Sequence, residues 1–290
     1  MKKIDIIKAC SDLGVHKDGA HLGPEYILKN LDLSYINNIK EVSKIDCIKD
    51  NSKDNKKKNI DYINKFNSNL YDVVSESTSH KHFPIILGGD HSISIGSALA
   101  SLNTYKKMGI IWIDSHADFN TFKTTVTGNI HGLPFATVTG QNQEGLTEFH
   151  KGSFYNPKNS VLVGARSIDY PGEYENLIKA GVKIFTTEDI NLYGMDSIIK
   201  QAIEIASNGT EGIHISIDID VLDPIVAPGV SVPEINGISE NDLFQAIDEI
   251  GLKKDYIKSV DLVEYNPKYD SNNLSLNIAQ KVSNKLITLN

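Results

Sequence analysis

Thiols are scarce in this chain: only Cys10 and Cys47 occur, and no CxxC pair is formed. That argues against a disulfide framework and against a thiolate zinc site. Long apolar runs are missing too, and no stretch approaches the roughly 20 residues a membrane span requires. The opening MKKIDIIKACSDLG is interrupted by Asp5 and Lys8, which reads against a signal peptide. The expected compartment is the cytoplasm. Basic charge is in deficit: 29 Lys and Arg against 37 Asp and Glu give a net charge of -8. A nucleic-acid partner and an anionic membrane surface are therefore not expected. The Lys-rich segment 46–67 is interleaved with acids and reads as a solvated loop leading into a helix. Neither an internal repeat nor a break in composition divides the 290 residues, so one domain over 1–290 is expected.

What is present is a repeated alternation. Strand-like runs fall at 3–9, 84–89, 109–114, 160–166, 182–189, 212–220 and 256–267. Several are continuously apolar, as strands buried on both faces of a parallel sheet must be. Helical patterns lie between and after them, at 92–102, 194–207, 239–251 and 274–287, and Ser239 is placed to cap the third. Such alternation predicts an α/β fold with a mostly parallel sheet.

Three of these runs end in ligating side chains. PIILGGDHS delivers His91. GIIWIDSHADFN delivers Asp114, His116 and Asp118. GIHISIDIDVLDP delivers Asp218 and Asp220. Open parallel sheets bind ligands beyond the carboxyl ends of their strands. Alternate residues of an extended chain point to one side, so each group can converge if the chain stays extended. Taken singly, each of these residues reads as a loop residue or a cap. Taken together, four carboxylates without cations would be an expensive accumulation of like charge. Carboxylate oxygens with imidazoles and no thiolate suit Mn²⁺ or a similar divalent ion. Six donors exceed what one ion takes, whereas two ions with shared carboxylates would use them all.

The motifs LGGDHS, DSHADFNT, TTVTGNIHGLPFA, SIDIDVLDPIVAPG and LVEYNP, in this order, resemble those of the ureohydrolases, the arginase and agmatinase family. The resemblance implies a three-layer α/β/α sandwich with a mostly parallel central sheet and two Mn²⁺ per subunit. It assigns His91, Asp114, Asp118 and Asp218 to one ion, and Asp114, His116, Asp218 and Asp220 to the other. A hydroxide shared by the metals would attack a guanidinium carbon and release urea. A homo-trimer or homo-hexamer is implied, with a small guanidino compound as the only partner.

The TGNIHG loop resembles that of arginases, which implies hydrolysis of L-arginine to L-ornithine and urea. The reacting groups would then include His131 as a proton shuttle, Asp118, and Glu264, whose carboxylate can face a planar guanidinium. Contacts to the substrate carboxylate would fall on Asn120, Thr125 and Thr127, and contacts to its amino group on Asp169 and Glu173. Two departures widen the choice of substrate. Val221 follows Asp220 as in agmatinases, and Ser231 and Val232 stand where arginases usually carry Gly-Thr. Val232 cannot supply the hydroxyl that threonine offers. The alternative readings are an agmatinase, a guanidino-acid hydrolase or a formimidoylglutamase. A calcineurin-like phosphoesterase also uses DxH, GD and GNH pieces, but their order and spacing fail here. A non-catalytic subunit would be expected to have lost ligands, and all six are present.

Overall fold

The computed structural model describes residues 2–50, 52 and 55–289, so positions 51, 53 and 54 of the Lys-rich loop lie outside the described residues. Eight strands form one sheet: β1 (Ile4–Ala9), β2 (Ile36–Glu41), β3 (Phe83–Gly88), β4 (Met108–Ile113), β5 (Ser160–Ala165), β6 (Lys183–Thr186), β7 (Gly212–Asp218) and β8 (Ile257–Val263). Their order is β2-β1-β3-β8-β7-β4-β5-β6, and every pairing is parallel. The helices are α1 (Gly23–Leu28), α2 (Ile60–Ser79), α3 (Ser94–Tyr105), α4 (Pro134–Val138), α5 (Gly172–Ala180), α6 (Thr187–Tyr193), α7 (Met195–Ser207), α8 (Glu240–Gly251) and α9 (Leu274–Thr288).

The continuous apolar runs are explained by two cores. Ile111 and Ile113 of β4 pack with Ile198 of α7, Leu243 of α8 and Val282 of α9 on one face. Ile110 and Trp112 face the other way, against Phe66 of α2, Leu99 of α3 and Phe135 of α4. Successive side chains of a strand point to opposite faces, so burial on both sides demands an apolar residue at every position. The result is the three-layer α/β/α arrangement that the alternation and the resemblance predict. Among the described residues no helix is long and apolar enough to cross a membrane.

Several boundaries differ from the sequence reading. The run 182–189 is strand only to Thr186, whose side chain caps α6 in a reciprocal box with Asp189. Such a cap is worth about 1 kcal/mol and marks where the helix begins. Ser239 caps α8 in the same way. The run 256–267 stops at Val263, and β2 was not expected because its INNIKE is largely exposed. For function, the order of the central strands matters most. Consecutive strands β3 and β4 are separated by β8 and β7, which makes the switch point where open α/β sheets hold ligands.

Candidate metal centre and active site

Four adjacent strands, β3, β8, β7 and β4, carry the six ligand candidates and Glu264 at or just past their carboxyl ends. Three of these ends turn by one device. The carboxylate of Asp90 accepts the N–H of Ser92 at 2.8 Å, that of Asp114 accepts His116 N–H at 2.7 Å, and that of Asp218 accepts Asp220 N–H at 2.8 Å. An Asp that binds the backbone two residues on ends a strand in a tight turn. In Asp114 and Asp218 the second carboxylate oxygen faces His91 Nδ1, whereas that of Asp90 accepts the Gly14 N–H at 2.9 Å. Convergence is therefore achieved by turning, whereas the sequence reading kept the chain extended through Asp118. Asp118 in fact has φ 50°, and Glu264, just past β8, has φ 66°. Non-glycine residues in this region are uncommon and cluster at functional sites.

Close backbone approach explains one glycine. A Cβ on Gly89 would lie 1.8 Å from the Ser11 carbonyl oxygen. Its own carbonyl accepts the Glu264 N–H at 2.7 Å. The missing side chain thus lets the segment after β1 pass against the end of β3.

His91 is fully buried, and its Nδ1 lies 3.1 Å from one oxygen each of Asp114, Asp118 and Asp218. Its Nε2 meets the Ser216 hydroxyl at 2.9 Å. Nδ1 itself has no hydrogen-bond partner. His116 turns Nδ1 toward Asp220 Oδ2, at 2.9 Å, while Ser115 Oγ donates to Asp220 Oδ1 at 2.7 Å. Donor atoms of His91, Asp114 and Asp218 fall within 4.8 Å of one another, as do those of Asp114, His116 and Asp220. The two groups share Asp114.

Burial and like-charge neighbours act together here. Burial, with Asp114 close by, pushes Asp118 up to about 6. Burial with Asp220 and Asp114 holds Asp218 well above the usual carboxylate range, and burial raises Asp220 as well. Burial opposes a proton on His91 and His116, yet the carboxylates around them hold both well above the ordinary imidazole value. Two imidazolium protons are the only positive charge these six residues can supply. A divalent cation replaces them with more charge at the same place, releasing protons as it binds. The orphaned His91 Nδ1, facing three carboxylate oxygens, is what such an ion fits.

The remaining candidates differ in placement. Glu264 Oε1 meets His131 Nδ1 at 3.0 Å and accepts the His91 N–H at 2.9 Å, while Oε2 is buried without a partner. Asn120 is buried and donates through Nδ2 to exposed Asp169 at 3.0 Å. Thr127 is exposed. Thr125 is buried, with its hydroxyl taking the Gly128 N–H at 3.0 Å. Glu173, expected to face the substrate, is turned inward: its two oxygens accept the N–H groups of Phe119 and Asp169 at 2.8 and 2.9 Å. Burial pushes its carboxyl up to about 7. Its place is beneath Asp169, tying that residue to the strand end of β4. Ser231 is buried, its hydroxyl held by Asn266 Nδ2 at 3.1 Å, and Val232 beside it is half-buried.

Sequence reasoning missed several residues of the site. Trp112 stacks on His91 with ring centroids 4.1 Å apart and donates Nε1–H to Asp114 at 3.0 Å. Ser216 precedes Asp218 by two, so strand alternation could have found it. Asp90, Arg166 and Glu234 carry no such local signal.

A sequence profile of the arginase family matches residues 2–288. The arginase of Staphylococcus aureus (strain COL) is 38% identical over 282 residues, covering 94% of this chain and 92% of that one. The structure of an arginase from Bacillus caldovelox superposes with a TM-score of 0.90 at 31% identity, covering 99% and 98% of the two chains. An Entamoeba histolytica arginase, solved with L-ornithine, gives 0.91 at 28% identity over the same shares.

Proposed function

This chain belongs to the arginase family, and on that premise we propose that it hydrolyses L-arginine to L-ornithine and urea with a pair of Mn²⁺ ions. The observation that carries the reading is the convergence of His91, Asp114, His116, Asp118, Asp218 and Asp220 at the carboxyl ends of β3, β4 and β7, with a buried imidazole nitrogen left unpaired among carboxylates. His91, Asp114, Asp118 and Asp218 would hold one ion. Asp114, His116, Asp218 and Asp220 would hold the other, sharing Asp114 and Asp218. When bound, such a pair supplies a water-derived nucleophile at neutral pH.

The chain's own residues orient the substrate. The unpaired Oε2 of Glu264 would accept guanidinium N–H groups, fixing the planar carbon against the metal centre. His131, at the other Glu264 oxygen, would carry a proton to the departing amine. The Asn120 amide has a second N–H beyond the one Asp169 takes, and with Thr127 and Thr125 it would face the amino-acid carboxylate. Asp169, held from below by Glu173, would take the ammonium. Manganese as the resident metal and a trimer or hexamer, both implied by the family resemblance, and the cytoplasm, expected from the sequence, complete the reading.

Urea release from L-arginine, agmatine and guanidinobutyrate, measured side by side with metal-stripped protein as control, tests it. Metal-dependent turnover favouring L-arginine is expected. A preference for agmatine, which lacks the carboxylate and the α-amino group, would overturn the assignment of Asn120, Thr127 and Asp169, and a preference for guanidinobutyrate, which lacks only the amino group, would overturn that of Asp169.

A further inference from the structure

The Nε2 of His116 is buried and has no hydrogen-bond partner, although its Nδ1 is turned into the metal centre. A metal-binding imidazole presents a lone pair on one nitrogen and a proton on the other, and the group that takes that proton sets tautomer and ring orientation. Glu234 Oε1 stands 3.6 Å from this Nε2, and it is the one carboxylate outside the six ligand candidates recorded against His116 among the described residues. The same oxygen accepts the Ser167 hydroxyl at 3.2 Å.

Glu234 lies far from His116 in sequence, in the loop between β7 and α8, and something must hold that loop in place. The Arg166 guanidinium does so. Nη2 donates to the carbonyls of Asp220 and Glu234, both at 2.8 Å, and Nε to that of Ile235 at 3.0 Å. One side chain at the end of β5 therefore ties the backbone of a ligand candidate, Asp220, to the backbone of Glu234. A planar fork with five donors suits this task, and a lysine could not perform it.

We infer that Glu234 is a positioning residue for the metal centre: its carboxylate takes the Nε2 proton of His116 and so commits Nδ1 to the ion shared with Asp114 and Asp220. The inference rests on the metal-centre reading above. At 3.6 Å the two atoms are beyond hydrogen-bond length, so taking the proton requires the Glu234 carboxylate to close on Nε2 by a few tenths of an ångström.

The test titrates metal-stripped wild type, Glu234→Val and Glu234→Gln with Mn²⁺, following free Mn²⁺ by electron paramagnetic resonance, and records the melting temperature of each metal-free protein. Loss of an outer carboxylate partner typically weakens a metal site 10–100-fold. E234V is expected to weaken one of two Mn²⁺ binding steps by about that factor and leave the other unchanged, with the metal-free melting temperature preserved. E234Q keeps an acceptor oxygen and is expected to lose less. Two wild-type binding steps in E234V would overturn the inference, as would equal weakening of both steps together with a lower metal-free melting temperature, which marks a collapsed loop. If wild type itself binds no Mn²⁺, the metal-centre reading fails and the inference falls with it; normal wild-type binding with an unchanged E234V refutes the inference alone.

Discussion

His131 Nδ1 and Glu264 Oε1 lie 3.0 Å apart, joining the candidate proton carrier to the candidate guanidinium carboxylate. Burial opposes charge on His131, but its bond to Glu264 and the nearby carboxylates outweigh this and raise its pKa above the ordinary imidazole value. The pair leaves Glu264 Oε2 free while placing a protonatable group beside it. His131→Ala is expected to lower kcat on the order of 10²-fold, with little change in Mn²⁺ affinity. Added imidazole should restore part of the rate, and a wild-type kcat would remove His131 from the reaction.

Val232 is the next position to change. A hydroxyl there would add a polar contact beside the guanidinium subsite, worth about 1 kcal/mol. Val232→Thr is expected to lower KM for L-arginine by several-fold at unchanged Mn²⁺ affinity. Steady-state kinetics on the two proteins decide it, and an unchanged KM would place Val232 away from the substrate.

Trp112 is the only tryptophan, stacked on His91 and hydrogen-bonded to Asp114. Metal entry must alter the charge on both neighbours. Its fluorescence is expected to change during Mn²⁺ titration and to return on chelation. Mn²⁺ at 100 times its dissociation constant should also stabilise the fold by about 2.7 kcal/mol, read as a rise in melting temperature. A signal that is flat throughout the titration would contradict metal binding at His91.

An acid-sensitive cluster lies apart from the centre. Asp12 accepts the Gly19 N–H at 2.9 Å, meets Lys49 Nζ at 2.7 Å and bonds to His21 Nδ1. Burial pushes Asp12 up, but these partners outweigh it and hold its carboxyl far below the usual range. A depressed folded-state pKa contributes stability that is complete above the unfolded value near 3.9 and lost as pH falls below it. Asp12→Asn is expected to cost about 1–3 kcal/mol at neutral pH, with the gap from wild type closing below about pH 4. Melting curves across pH check this, and a gap that widens in acid would reverse the sign.

Much of the candidate site was legible because parallel strands buried on both faces leave a plain signature, and candidate ligands such as Asp114 and Asp218 stand directly at their ends. Local spacing carried the pairs Asp114 with His116 and Asp218 with Asp220, since each pair is one Asp-closed turn. It could not show that Asp118 enters through a left-handed residue, which depends on the turn and not on periodicity. Strand β2 escaped because an exposed edge strand needs no apolar alternation. Glu173 was read as facing substrate, but burial turned it beneath Asp169. Arg166 and Glu234 act between distant segments, and only the folded chain brings them to Asp220 and His116.

The most direct test of the account is a crystal grown with Mn²⁺ and measured at the manganese absorption edge. Two anomalous peaks about 3.5–4 Å apart are expected, one beside His91 and the other beside His116, with Asp114 and Asp218 between them. A single peak, or manganese bound elsewhere with these six residues uninvolved, would contradict the two-metal centre on which the proposed reaction depends.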